Sequence, residues 1–204
     1  MTSLDRDMKQ LLKTIYDDPS PGSFVQSLPV GDLYQLIVET GVENSFDIFQ
    51  LATIEQARII LDLDLWEEWT ISLDEAVKWL DLILSSGDTY ALWLLSQLDQ
   101  ELLIIILKKT LTVGGGVADI IGSEDFDGDW DHTFDEIFFL HFDDEENSGL
   151  ILKMLELLYN ENHKLYRSLL LGAENELITE LEETAYQFRT ARLEDEGMYA
   201  ANQG

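Results

Sequence analysis

The sequence has no cysteine and only three prolines, and it sets 12 Lys and Arg against 41 Asp and Glu. Without a thiol there is no disulfide, no thiolate nucleophile and no Cys-ligated zinc or iron–sulfur centre, a composition that also suits a reducing compartment. The shortage of bases disfavours direct nucleic-acid binding, which draws most of its affinity from Lys and Arg neutralising phosphates. No base occurs from Thr14 to Ala57 or from Thr110 to Leu152. Long apolar runs are lacking too. The longest is Leu102 to Leu107, far short of the roughly 18 residues of a membrane-spanning helix, and no basic-then-apolar leader opens the chain. The expectation is a cytoplasmic protein without membrane insertion.

What is present is an ordinary supply of core residues. Hydrophobic content is 46% and charged content 26%, near globular averages, so the formal charge of -29 reflects acids standing where bases would be. A chain of 204 residues is long enough to bury a sizeable core. Such charge favours partners with a basic protein surface, or divalent cations.

Up to Val113 the chain reads as short helices. Leu4, Met8, Leu11, Leu12 and Ile15 have helical spacing, and Pro19, Pro21 and Gly22 stop that helix. Pro29 opens another that carries Leu33, Leu36 and Ile37 on one face and ends at Gly41. Thr53 with Gln56, and Ser72 with Glu75, have capping-box spacing. The second pair starts a run with Ala76, Trp79, Leu80, Ile83 and Leu84 that stops at Gly87, where Asp88 is placed to cap the next helix. Leu28, Leu51 and Leu98 each precede an acidic first turn, a loose repeat of the kind that builds stacked helical arrays. Trp66, Trp69, Trp79 and Trp93 stand among leucines and are expected in the core.

The string Leu61-Asp62-Leu63-Asp64-Leu65-Trp66, with Leu28-Pro29 through Ile37, Leu98-Asp99 through Lys109, and Ala185 through Leu193, resembles an uncharacterised bacterial protein family of unknown function over most of the chain. More distantly, the helices from about Phe24 to Thr112 are similar to the cytosolic N-terminal superhelix of MgtE-type magnesium transporters. Neither resemblance supplies catalytic residues.

After Gly114-Gly115-Gly116, read as a linker, the texture changes. Asp119 to Asn147 holds 12 acids and no Lys or Arg, and the aromatic-rich stretch Phe134 to Phe142 has the composition of a strand or hairpin arm. Helices then return around Leu150 to Leu158, from Leu165 to Leu171 with an end at Gly172, and from Glu174 to Glu196. The expected architecture is all-α: an array, or superhelix, of short stacked helices over 1–113, an acidic insertion over 114–147, a C-terminal helical hairpin over 148–197 packed back on the array, and a tail over 198–204.

Within the insertion, Asp125, Asp127, Asp129, Asp131, Thr133 and Glu136 are the candidate metal ligands. Counting Asp125 as position one places acids at one, three and five, an oxygen at nine and Glu at twelve, the ligand order of a calcium loop. Trp130 stands where a sharp turn calls for glycine, and no second loop is there to pair with it. Weak calcium or magnesium binding and a merely solvated acidic loop both fit. His132, His141 and His163 show no zinc-binding spacing, and no nucleophile elbow occurs. Arg189 and Arg192 share one face of the last helix, where they are placed to form an ion-pair clasp with carboxylates or to hold an anion. The composite expectation is a non-enzymatic helical scaffold or regulatory protein-interaction domain without a resident cofactor. The alternatives are a domain responsive to divalent cations and, third, an enzyme of unidentified class.

Overall fold

A computed structural model describes residues 3–116 and 129–198. Among the described residues there are 11 helices and two small antiparallel sheets, so the protein is mostly all-α. Contacts divide the chain into two compact units, 1–64 and 65–204. That boundary falls between Asp64 and Leu65, whereas the sequence changes texture only after Val113.

The first unit holds α1 (Ser3–Asp17), α2 (Pro21–Ser27), α3 (Val30–Thr40), α4 (Val42–Phe49) and α5 (Ile54–Asp64). Its core is Ile15, Val25, Leu33, Leu36, Ile37, Ile48, Phe49 and Ile60, all fully buried. Pro21 and Gly22 end one helix and also begin the next, because a proline has no N–H to lose at a first turn. Gly41, at φ +88, closes α3 and opens α4. The Thr53–Gln56 box forms as the spacing predicts: Thr53 N donates to Gln56 Oε1 at 3.0 Å and Gln56 N to Thr53 Oγ1 at 3.1 Å. The Gln56 amide does more, donating to Val25 O at 3.1 Å and Leu28 O at 3.0 Å. It thereby ties α5 to the end of α2, where Val25 O also accepts from Leu28 N at 3.1 Å.

The second unit begins with a two-stranded turn, β1 (Trp66–Glu67) against β2 (Thr70–Ile71), in which Glu68 takes a left-handed φ of +55. There follow α6 (Leu73–Ser85), α7 (Asp88–Gln97), α8 (Gln100–Thr110), β3 (Leu111–Gly115), β4 (Phe138–Phe142), α9 (Ser148–Glu161), α10 (His163–Asn175) and α11 (Ile178–Asp195). Helix α8 is the centre, packed by α6, α9, α10, α11, β2 and β3, with Leu103, Ile104, Ile105, Ile106 and Leu107 buried on all sides. An apolar run that encircles a helix belongs to one enclosed by neighbours. Each such side chain contributes about 1.5–3 kcal/mol on burial. No single described helix is long and apolar enough to cross a membrane; α7 and α8 meet at a bend of 108°.

Several local expectations are corrected here. Ser72 makes no side-chain cap at α6, and the Glu75 carboxylate pairs with Lys78 at 2.9 Å instead of reaching back to the cap. Asp88 lies inside α7, whose cap position is Gly87, so its carboxylate meets the first turn without closing it. Helix α10 runs through Gly172, which is there for packing: a Cβ at that position would lie 2.5 Å from Ile104 Cδ1 on α8. The break comes instead at Glu176 and Leu177, between α10 and α11.

The glycine triplet is not a linker. Gly114 and Gly115 end β3, which pairs with β4 in the register Leu111↔Phe142, Val113↔Leu140 and Gly115↔Phe138. The Trp130 ring lies where a Cβ of Gly114 would be, and Gly115, at φ +94, faces the Ile137 carbonyl. Glycine is needed because ring and backbone approach the strand too closely for a side chain. On the other edge of β4, His132 bridges Leu140. The strand expected over Phe134 to Phe142 is thus only its second half, because residues 133–137 form a tight turn.

Candidate functional site

Residue positions on α11 and the β1–β2 turn build one aromatic platform. Trp66 and Trp69, on either side of the turn, both meet Tyr186 of α11, with ring centroids 5.5 Å and 5.0 Å away. The Arg189 guanidinium, one helical turn beyond Tyr186, stands 5.6 Å from the centroids of both Trp66 and Tyr186. Stacked this way, a guanidinium gains from the negative ring faces as well as from shape. Arg192, one turn further, pairs with Asp99 at 2.7 Å, both side chains about three-quarters buried. The two arginines of the last helix therefore meet different partners, one a carboxylate at the start of α8 and the other two rings.

Beside the platform, Trp69, Thr70, Tyr186, Glu182 and Glu183 line an open groove of about 440 Å³. Glu182 is paired with Lys109 at 3.3 Å, and Glu183 is exposed. Trp69 is 61% exposed and Trp93 41%, which corrects their expected place in the core; Trp79, at 1%, is a core residue. Helical spacing misled for Trp69 because α5 ends at Asp64 and the tryptophan sits on a strand turn. The signal was local: Glu67-Glu68-Trp69-Thr70-Ile71 has the alternation of a short exposed hairpin rather than helical periodicity.

The candidate metal residues lie elsewhere in the second unit. Asp125 and Asp127 fall outside the described residues. Asp131 accepts from Phe142 N at 2.8 Å and lies 3.0 Å from His141 Nδ1. On the opposite ring nitrogen, His141 Nε2 is 3.9 Å from Asp143, whose carboxylate accepts from Thr112 at 2.8 Å. Two acids on opposite sides of one imidazole do not converge on an ion, and among the described residues no three His, Asp or Glu side chains do so. The Thr133 hydroxyl donates to Phe138 O at 2.7 Å and accepts from Glu136 N at 2.9 Å, while Asp135 accepts from Ile137 N and Phe138 N, each at 2.9 Å. These bonds hold Glu136 in a left-handed turn at φ +57. Asp129 and Glu136 are both exposed.

Beneath that turn lies an aromatic cluster. Phe134 stacks on Tyr159 at 5.5 Å, His163 stacks on Tyr166 at 5.5 Å, and the His132 ring stands edge-on to Phe134 at 4.3 Å. Tyr166 is fully buried. Burial, and then the Asp135 carboxylate near it, push its phenol well above the usual range, although no well-directed hydrogen bond joins the two oxygens. The rings pack against one another around the raised phenol of Tyr166.

Against protein-family models, residues 4–203 match DUF6178, a family of unknown function. The chain belongs to that family. No curated protein and no solved structure matches it.

Proposed function

We propose that this DUF6178 protein is a non-enzymatic, helical protein-interaction domain whose partner presents a basic surface. One observation carries the reading: five of the eight Lys and Arg in the second unit, namely Lys108, Lys109, Lys153, Arg189 and Arg192, are engaged within the fold. Lys108 donates to Ala173 O at 2.7 Å, Lys153 to Leu84 O at 3.1 Å, and Lys109 to Ile71 O at 3.1 Å while also pairing with Glu182. Ala173 and Leu84 lie in the last turns of α10 and α6, where open carbonyls and the helix dipole favour an ammonium. Arg192 is held by Asp99 and Arg189 lies over two rings.

With those cations committed to internal ties, exposed carboxylates dominate the described surface, and a surface of one sign attracts and orients the opposite sign. The stacked short helices supply a rigid frame for such a surface. The test is capture from the host extract at low salt, followed by titration of each captured protein in purified form. A partner that saturates at one-to-one stoichiometry, with affinity falling as salt rises, is the expected outcome. Retention only of proteins held equally by an unrelated acidic protein overturns the reading.

A further inference from the structure

We propose that the groove between Trp69 and α11 seats an arginine side chain of the partner protein. This rests on the reading above and goes beyond it by naming the site and the residue it recognises. The groove has aromatic surface from Trp69 and Tyr186, whose rings are 5.0 Å apart and inclined by 48°, and carboxylates from Glu182 and Glu183. Among the described residues no Lys or Arg lines it. Lys109 neutralises Glu182 from within the fold, so Glu183 is the carboxylate that an incoming cation meets.

A ring left 61% exposed beside an acid is a poor arrangement for a free surface and a good one for a planar cation. The platform also shows its preference directly, because Arg189 already places a guanidinium 5.6 Å from the rings of Trp66 and Tyr186, yet Arg189 is not among the residues lining the groove. Arginine is favoured over lysine because its flat, weakly hydrated head stacks on a ring and bonds a carboxylate at once, whereas an ammonium keeps its water and cannot stack.

The test compares fluorescently labelled octa-arginine and octa-lysine, matched in charge, by anisotropy at one ionic strength with the full chain. Octa-arginine is expected to bind about three- to tenfold more tightly, the range that a stacked cation contributes at a partly exposed ring. Trp69→Ala and Glu183→Gln should each bring its affinity down to that of octa-lysine. Glu183→Gln is isosteric and lies on the surface, so it carries the test even if Trp69→Ala lowers the melting temperature. An arginine advantage that survives in Glu183→Gln overturns the inference, as does equal binding of the two peptides by the parent chain; in both cases the broader reading of a basic partner stands. Failure of both peptides to bind at low salt overturns the inference and the broader reading together.

Discussion

The two units tie their helices together with different chemistry. In residues 1–64 neutral donors tie helices together: the Gln56 amide reaches two carbonyls, the buried Ser45 hydroxyl donates to Ile37 O at 3.4 Å, and the Tyr16 phenol donates to the Asp47 carboxylate at 2.9 Å. In residues 65–204 charged donors join neutral ones such as Asn162 on Ser96 and Ser168 on Gln100, with Lys108, Lys109 and Lys153 on main-chain carbonyls and Arg192 on Asp99. An amide supplies donors without bringing a charge into the fold, whereas an ammonium half-buried at a helix end gains from the helix dipole and loses part of that gain when salt screens it. The comparison teaches that a strongly acidic chain can assign several of its few bases to architecture, and that a unit so built should answer to salt more than the other.

The largest expected effect comes from the neutral side. Gln56→Leu removes the amide donor to Val25 O and Leu28 O and the acceptor for Thr53 N, while Val25 O keeps Leu28 N and Thr53 Oγ1 keeps the backbone N–H of residue 56, and should cost about 2–4 kcal/mol. Hydrogen exchange resolved by unit should show the loss in residues 1–64, unchanged between low and moderate salt. A salt-dependent loss would break the distinction between the units.

Next is Arg192→Ala, which strands Asp99 at the start of α8. With both side chains about three-quarters buried, the cost should be about 1–3 kcal/mol. Arg192→Lys should recover part of it, and the difference between the variants should shrink as sodium chloride is added. Equal unfolding midpoints for parent and Arg192→Ala would remove the ion pair as a tie.

Smaller again is Lys153→Met, which keeps the apolar stem and deletes the ammonium from the end of α6, at about 0.5–1.5 kcal/mol. Its effect should appear as faster exchange in the last turn of α6, with α2 unaffected. No change there would mean that water serves the Leu84 carbonyl as well as Lys153 does.

The smallest effect at neutral pH belongs to Tyr166→Phe, and it grows in alkali. The folded phenol titrates above its unfolded value of about 10, so over that window the unfolded chain binds fewer protons than the folded one. Its contribution is therefore complete below about pH 10 and declines as pH rises beyond it. Tyr166→Phe should flatten the alkaline fall in stability without abolishing it, since burial also raises Tyr90. An unchanged slope in urea unfolding between about pH 9 and 11 would show that Tyr166 contributes nothing to it.

By itself the sequence determined what depends on neighbours a turn or two away. The helical spacing of Leu33, Leu36 and Ile37, the stop at Gly41, the reciprocal box of Thr53 and Gln56 and the enclosed apolar run of α8 are all local signals, and they suffice to place the protein among all-α folds. Tertiary structure decided whatever needed a partner far along the chain. Gly114 and Gly115 read as a linker until β4, Trp130 and Ile137 are brought against them, and Gly172 reads as a helix end until Ile104 lies on it. Trp69 counts as core by spacing, yet it sits on the β1–β2 turn, against Tyr186 and facing solvent. Arg189 and Arg192 look equivalent on one helix face, but rings lie against the first and Asp99 against the second. Local periodicity follows from backbone geometry that repeats within a few residues, whereas pairing across scores of residues depends on which surfaces the fold brings together.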